Sequence, residues 1–346
     1  MKLSMSLSYA GGFLKGVEQV QAFEKAGVDM VWVAEAYGND AVTLMGYIAA
    51  KTETIEIASG ILPLYTRTPT LLAMTAAGLD EISGGRAVLG IGASGPQVIE
   101  GFHGVPYDRP LQRTREIIEI CRQVWRRERV EHQGKAYQIP LPEGQGTGLG
   151  KALKLITHPQ RSDIPIYVAA LGPKNVAMAA ELANGWLPIF YNPHKAADVW
   201  GENLDEGKAK RDASLGELQI VAGGAIGFGD EATAKMVRDA SRPMVALYVG
   251  GMGARGRNFY NDLFSRYGYE AEAKEIQDLY LDGKKDEAAA AIPDDFLKAV
   301  SLFGDEGFVR DQVQAYKDSG VTALSVMPVG GEDPLTVLEK VKGWAD

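Results

Sequence analysis

A (β/α)₈ barrel is the architecture this 346-residue sequence predicts, and three observations carry the prediction. Eight short apolar strands follow one another, nearly all of them trailed by a helix. Strand starts fall about 25 to 30 residues apart, the length of a βα unit. Two longer gaps break the rhythm, and neither carries the composition of a linker between domains. The chain therefore reads as one domain over 1–346, with insertions at 129–163 and 249–304. An open, doubly wound sheet is the alternative arrangement of the same units.

In order, Leu3 to Ser8 alternates as a strand. The helix after it turns Val17, Val20 and Phe23 to one face. Val28 to Ala34 is the second strand, and Ala41 to Lys51 its helix. Ile55, Ile57 and Ile61 alternate with smaller residues in the third strand, which ends on Tyr65, Thr66 and Arg67 before Pro69 opens a helix to Ile82. Ala87 to Gly92 is the fourth strand. A short helix from Gln97 and a long one from Leu111 to about Glu128 come next, the latter with Cys121 on its packed face. Ile164 to Ala170 and Trp186 to Phe190 are strands five and six, with helices at Pro173 to Ala183 and Lys195 to Arg211. Leu218 to Gly227 and Thr322 to Met327 are strands seven and eight, and Pro334 to Trp344 is the last helix.

Composition narrows the function. A net charge of −9 argues against nonspecific nucleic-acid binding and against an anionic membrane partner. A single cysteine and four scattered histidines provide no metal cluster. With no signal-like run and no span of about 18 apolar residues, a soluble cytoplasmic protein is expected.

Barrel chemistry sits on the loops after the strands. Those ends hold Tyr9, Glu35, Tyr37, Tyr65 and Trp186 among many glycines, which suits a flat aromatic cofactor better than hydrolysis. Gly90-Ile91-Gly92-Ala93-Ser94-Gly95 matches a dinucleotide fingerprint. Its place in the fourth unit and the short helix behind it favour another reading, in which the glycines let backbone approach a planar ring. Gly172-Pro173-Lys174 opens a helix with free amides and a cation, a combination suited to phosphate. Glu35 can relay a proton or bond a loop. Arg67 can meet an anionic cofactor tail or pair with an acidic neighbour.

Together, Gly60-Ile61-Leu62-Pro63-Leu64-Tyr65-Thr66-Arg67-Thr68-Pro69, Leu79-Asp80-Glu81-Ile82-Ser83-Gly84-Gly85-Arg86 and Gly90-Ile91-Gly92 resemble the bacterial-luciferase-like superfamily. The likeness is greatest to the branch using the deazaflavin coenzyme F420, including methylenetetrahydromethanopterin reductase, and spans essentially the whole chain. The resemblance implies hydride transfer at the deazaflavin C5, a homodimer, and a cis peptide at Gly60-Ile61 bulging against the ring. Ala36, Gly60, Ile61, Gly92 and Ala93 would lie at the ring. Ala169, Ala170, Leu171, Gly172, Pro173 and Lys174 would hold the phosphate-bearing tail. Tyr9, Tyr37, Tyr65 and Trp186 are expected to line the substrate pocket. Several relatives carry Asp-His at the end of strand two, where this chain has Glu35-Ala36. Glu35 is therefore the candidate catalytic residue, unless no side-chain base is needed. An FMN-dependent two-component monooxygenase and a non-catalytic flavin-binding protein are the alternatives.

Overall fold

The computed structural model describes residues 1–8 and 11–345. Its eight principal strands are β1 (Lys2–Ser6), β2 (Met30–Val33), β3 (Glu56–Ser59, resuming at Leu62–Pro63), β4 (Ala87–Gly92), β5 (Ile166–Ala169), β6 (Gly185–Leu187), β7 (Gln219–Phe228) and β8 (Ala323–Pro328). All run parallel to their neighbours in chain order, and β8 returns to β1 through Lys2, Leu3 and Ser4. The ring closes at β6 and β7, where Gly185 faces Gln219 and Trp186 faces Ile220. The predicted barrel is the one observed.

The helices between the strands are α1 (Phe13–Lys25), α2 (Ala41–Ala49), α3 (Pro69–Ser83), α4 (Pro96–Gly101), α5 (Pro110–Trp125), α6 (Pro173–Leu182) and α7 (Ala196–Lys208). Their starts are written locally. Asp40 accepts the Thr43 amide at the head of α2, and Thr68 accepts that of Leu71 at the head of α3, where Pro69 occupies the first turn.

The strand parity assigns each side chain a layer. Leu3, Met5, Val31, Val33, Ile57 and Leu89 pack outward against the helices in the main core. Met30, Trp32, Ala58, Val88, Tyr167, Val221 and Ala323 fill the barrel itself. Lys2 and Glu56 pair at 3.1 Å among the strand N-termini. Continuing the inward parity toward the C-terminal ends, Ser6, Gly223 and Met327 become solvent-exposed. The barrel is thus packed below and open above, as the strand-end location of function requires.

Both insertions carry structure of their own, and in the second the charged stretch from Tyr267 to Ala291 that the sequence predicts as helical is helical. Residues 129–163 contain a two-stranded hairpin pairing His132 with Ile139 and Gln133 with Gln138. Residues 249–304 follow α8 (Glu231–Ala246) through a π-helical turn, Leu247–Gly251. They then hold α9 (Phe259–Arg266), α10 (Glu270–Leu281), α11 (Lys285–Ala290) and α12 (Asp294–Ala299). The strand Leu302–Gly304 at the end of that segment was not anticipated. It pairs with Ile226–Phe228 beside the upper half of β7. The chain finishes with α13 (Glu306–Asp318) and α14 (Pro334–Ala345). No helix among the described residues is long and apolar enough to cross a membrane.

Candidate active site

The site begins with a defect in β3. Ala58 lies opposite Val88 and Leu62 opposite Ile91, so three residues of β3 face two of β4. That is a bulge, a device that re-aims side chains beside functional sites. The Gly60–Ile61 peptide within it is cis. Ser59 replaces the interrupted ladder with its side chain. Its hydroxyl donates to the Gly90 carbonyl at 2.8 Å and accepts the Gly90 amide at 2.9 Å. The approach is so close that a Cβ on Gly90 would stand 1.8 Å from the Ser59 carbonyl oxygen.

The bulge brings together residues far apart in sequence. A Cβ on Gly92 would lie 3.2 Å from both the Ala169 Cβ and the Ile61 Cδ1. Ile61, Gly92 and Ala169 therefore meet at the open end of the barrel. Gly60 sits over Trp32, whose Cβ would be 3.3 Å from an added methyl. Ala36 and Ala93, past the ends of β2 and β4, are half-buried.

Past β5 the chain turns its carbonyls into the helix layer. The Trp186 indole donates to the Ala170 carbonyl at 2.9 Å, and the Trp200 indole to the Leu171 carbonyl at 3.1 Å. Arg266, from the insertion helix α9, adds a second donor to the Leu171 carbonyl at 3.3 Å. Gly172 caps α6 by accepting the amides of Asn175 and Val176. The amides of Gly172 and Lys174 have no backbone acceptor among the described residues. Lys174 itself is exposed and borders a groove on the outer side of α6 with Arg115, Glu181 and Lys210. Any anion held here would meet backbone amides and the helix terminus first.

Three of the predicted site side chains do other work. Glu35, the candidate catalytic residue, is almost buried and committed to structure. One oxygen of its carboxylate is paired with the Arg67 guanidinium, while the other accepts Arg67 Nη2 at 2.8 Å and the Ala41 amide at 2.9 Å. The Glu35 hydrogen bond also raises the pKa of Arg67. This bidentate pair ties the end of β2 to the segment after β3 and caps α2, so the carboxylate is held as an ion-pair partner and not presented as a base. Of the two readings of Arg67, the structure takes the ion pair. Trp186 points the wrong way for a pocket. It is wholly buried in the outer layer, 5.1 Å from Trp200, because parity on β6 sends Gly185 and Leu187 inward instead. Tyr65 is buried, donates its hydroxyl to the Asp108 carbonyl at 2.9 Å and lies under Arg113. Burial pushes its pKa upward.

Tyr37 stays at the rim, 63% exposed and 6.2 Å from Phe102. Tyr9 lies outside the described residues. Among those described, no group of His, Cys, Asp or Glu is placed to hold a metal ion.

Sequence reasoning missed a set of aromatic residues above the strand ends. Phe190, three residues past β6, meets Tyr248 at 5.5 Å and Tyr260 at 6.3 Å, while Tyr248 and Tyr260 are 4.8 Å apart. Asn258 fixes them by donating to the carbonyls of Tyr248 and Val249 and accepting the Tyr260 amide. Gln97 of α4 reaches the Gly251 carbonyl at 3.2 Å, joining the insertion to the loop after β4. Tyr107 donates to the Ser94 carbonyl in that same loop. The only advance signal was the Gly250-Gly251 run beside two tyrosines, which has no period to read.

Sequence and structure comparisons agree with this architecture. The luciferase-like monooxygenase family matches residues 2–323. A provisionally named coenzyme F420-dependent oxidoreductase of Mycobacterium tuberculosis is 45% identical over 331 residues, covering 94% of each chain. The 5,10-methylenetetrahydromethanopterin reductase of Archaeoglobus fulgidus is 30% identical, covering 90% of this chain and 89% of its own. The solved structure of the coenzyme F420-dependent tetrahydromethanopterin reductase of Methanopyrus kandleri superposes with a TM-score of 0.76 at 26% identity, over 98% of this chain and 96% of that one. The chain belongs to the luciferase-like monooxygenase family, in its coenzyme F420-dependent oxidoreductase branch.

Proposed function

We propose that the protein binds coenzyme F420 against the β3 bulge and moves a hydride between the coenzyme's C5 and a small organic substrate. One observation carries the reading: Ile61, Gly92 and Ala169 converge at the barrel mouth so tightly that a side chain on Gly92 would crowd both neighbours, and the surface they make together suits a flat ring. The 45% identity to the mycobacterial oxidoreductase supports the choice of cofactor. When bound, the deazaflavin supplies the hydride donor or acceptor. Gly60 and Ile61 would back one face of the ring, with Gly92 and Ala93 along its edge. The amides of Gly172 and Lys174 would receive the phosphate, aided by the α6 terminus by about 0.3–1 kcal/mol.

Glu35 is held by Arg67 and Ala41, so the strand-two end offers no free base. That favours reduction of an imine or an activated alkene, which takes its proton from solvent, over dehydrogenation of an alcohol. A homodimer is the proposed assembly. Exposed Leu71, Met74 and Ile82 on α3 beside Tyr47 on α2 give it an apolar face, and analytical ultracentrifugation checks it.

Titration with F420 and with FMN, followed by absorbance and fluorescence, tests the cofactor. F420 is expected to bind in the micromolar range or tighter. Tight FMN binding with no response to F420, and oxygen uptake with reduced FMN, would replace this reading with a monooxygenase.

A further inference from the structure

Above the bulge, the far side of the barrel mouth is built from rings. Phe190 comes from the loop after β6, and Tyr248 and Tyr260 from the insertion after β7; each meets the other two nearly edge-on. The group is rigid. The buried Asn258 side chain bonds both the π-helical turn and the start of α9, and the Phe190 carbonyl accepts the Tyr267 hydroxyl at 2.9 Å. Tyr107 extends the row toward β4. Its hydroxyl reaches the Ser94 carbonyl, and it is near enough to Tyr260 to disfavour ionisation of that phenol. Burial raises the pKa of both Tyr107 and Tyr260, so both remain neutral.

Several charges on the flanking segments are already used. The Glu100 carboxylate accepts the Tyr107 amide at 3.1 Å. Arg113 lies between the rings of Tyr65 and Tyr137 and is paired with Asp108 at 2.6 Å. Arg255 is paired with Asp278 at 2.9 Å. A ligand between Ile61 and this wall would meet ring faces, ring edges and neutral hydroxyls.

We propose that Phe190, Tyr248 and Tyr260 form the substrate wall opposite the bulge and select a flat, uncharged, conjugated ring. The inference rests on the deazaflavin reading, since it places the substrate in the space between the coenzyme and this wall. An aromatic pair contributes through offset or edge-to-face contact, so removing one ring weakens binding without touching the hydride site. A fixed negative charge on the same ring would be desolvated against these rings.

Equilibrium dialysis of two naphthoquinones against protein saturated with oxidised F420 tests this without turnover. One probe is 2-methyl-1,4-naphthoquinone and the other is 1,4-naphthoquinone-2-sulfonate. The uncharged probe is expected to bind at least tenfold tighter. Phe190→Ala and Tyr260→Ala should each weaken it about tenfold, whereas Tyr260→Phe, which keeps the ring, should stay within twofold. Equal affinity for the two probes, no binding of the uncharged one, or alanine variants that bind like the parent would overturn the wall. A separate fluorescence titration with F420 keeps the two readings apart. Failure of the parent to bind F420 sinks the cofactor reading, whereas intact F420 binding beside unaltered quinone affinity sinks the wall alone.

Discussion

On one flank of the barrel β3 and β4 run so close that the Ser59 side chain substitutes for a lost ladder rung. On the opposite flank β6 and β7 pair in register over two residues, Gly185 and Trp186, and the strand Leu302–Gly304 takes the edge of β7 above them. The first flank is made of sequence-local units whose glycines allow backbone contact. The second is opened so that a long insertion can lean over the mouth and contribute rings. The difference separates two demands. A cofactor shared across a family needs a fixed backbone cradle, while a substrate wall can be rebuilt by changing an insertion that leaves the barrel ladder alone.

The comparison breaks most sharply at Gly90. A methyl there would be 1.8 Å from the Ser59 oxygen, a backbone atom that cannot swing aside. Gly90→Ala is expected to cost about 4 kcal/mol, measured by urea unfolding, and to abolish F420 binding. A variant that unfolds like the parent would mean the bulge tolerates a side chain, and the close-backbone account of this flank would fall. Gly224→Ala is the control on the other flank, where an added Cβ meets nothing within 4 Å.

Next in size is the Glu35–Arg67 pair. Glu35→Leu strips the Ala41 amide of its acceptor and leaves the Arg67 guanidinium without its hydrogen-bonded carboxylate in a site only 14% exposed. Loss of one partner of so buried a pair is expected to cost about 3 kcal/mol. Glu35→Gln keeps one acceptor and should cost less. Neither substitution should shift the pH profile of hydride transfer. A profile that lost one limb in Glu35→Gln would return Glu35 to acid–base duty and make this flank chemical as well as structural.

These two sites also mark how far the sequence could be read. The fourth strand, Ala87–Gly92, is legible because a continuous apolar run bounded by glycines is a local signal. The cis Gly60–Ile61 peptide was reached through family resemblance, not periodicity. Glu35 and Arg67 stand 32 residues apart, and nothing along the chain announces that they meet. Trp186 is expected in the pocket from its place near strand six alone, and on a three-residue strand one position decides between pocket and outer layer. Leu302–Gly304 was too short to alternate visibly. Phe190 follows β6 while Tyr248 and Tyr260 stand twelve residues apart after β7 with no shared period, so their union exists only in three dimensions.

A smaller effect is expected in the hairpin insertion. Glu116 is buried, and its carboxylate accepts the amides of Lys135, Ala136 and Tyr137 and the Gln112 side chain. Burial pushes its pKa up, but the Gln112 bond and then the amides outweigh burial, and the net value lies below the ordinary 4.5. A depressed carboxyl stabilises the fold above its unfolded pKa and loses that contribution as pH falls through the folded value. Glu116→Gln turns a donor toward the hairpin amides and should cost about 2 kcal/mol at pH 7. The gap from the parent should hold down to about pH 5 and close below the ordinary pKa. A gap independent of pH would mean that shape, and not charge, holds the insertion.

Cys121 gives the smallest expected change and tests whether the β4 flank is packed as tightly outside the barrel as at the bulge. It is wholly buried on α5 with its sulfur 3.8 Å from the Pro69 carbonyl, and burial pushes the thiol up to about 12. A thiol so protonated and enclosed should resist iodoacetamide in the native state and react only on unfolding. Cys121→Ala removes one sulfur from a close-packed layer and should cost about 1 kcal/mol, with F420 affinity unchanged. Fast alkylation of the folded protein would show that α3 and α5 separate readily. The rigid flank would then owe its precision to the Ser59–Gly90 contacts alone, and not to the helices packed behind them.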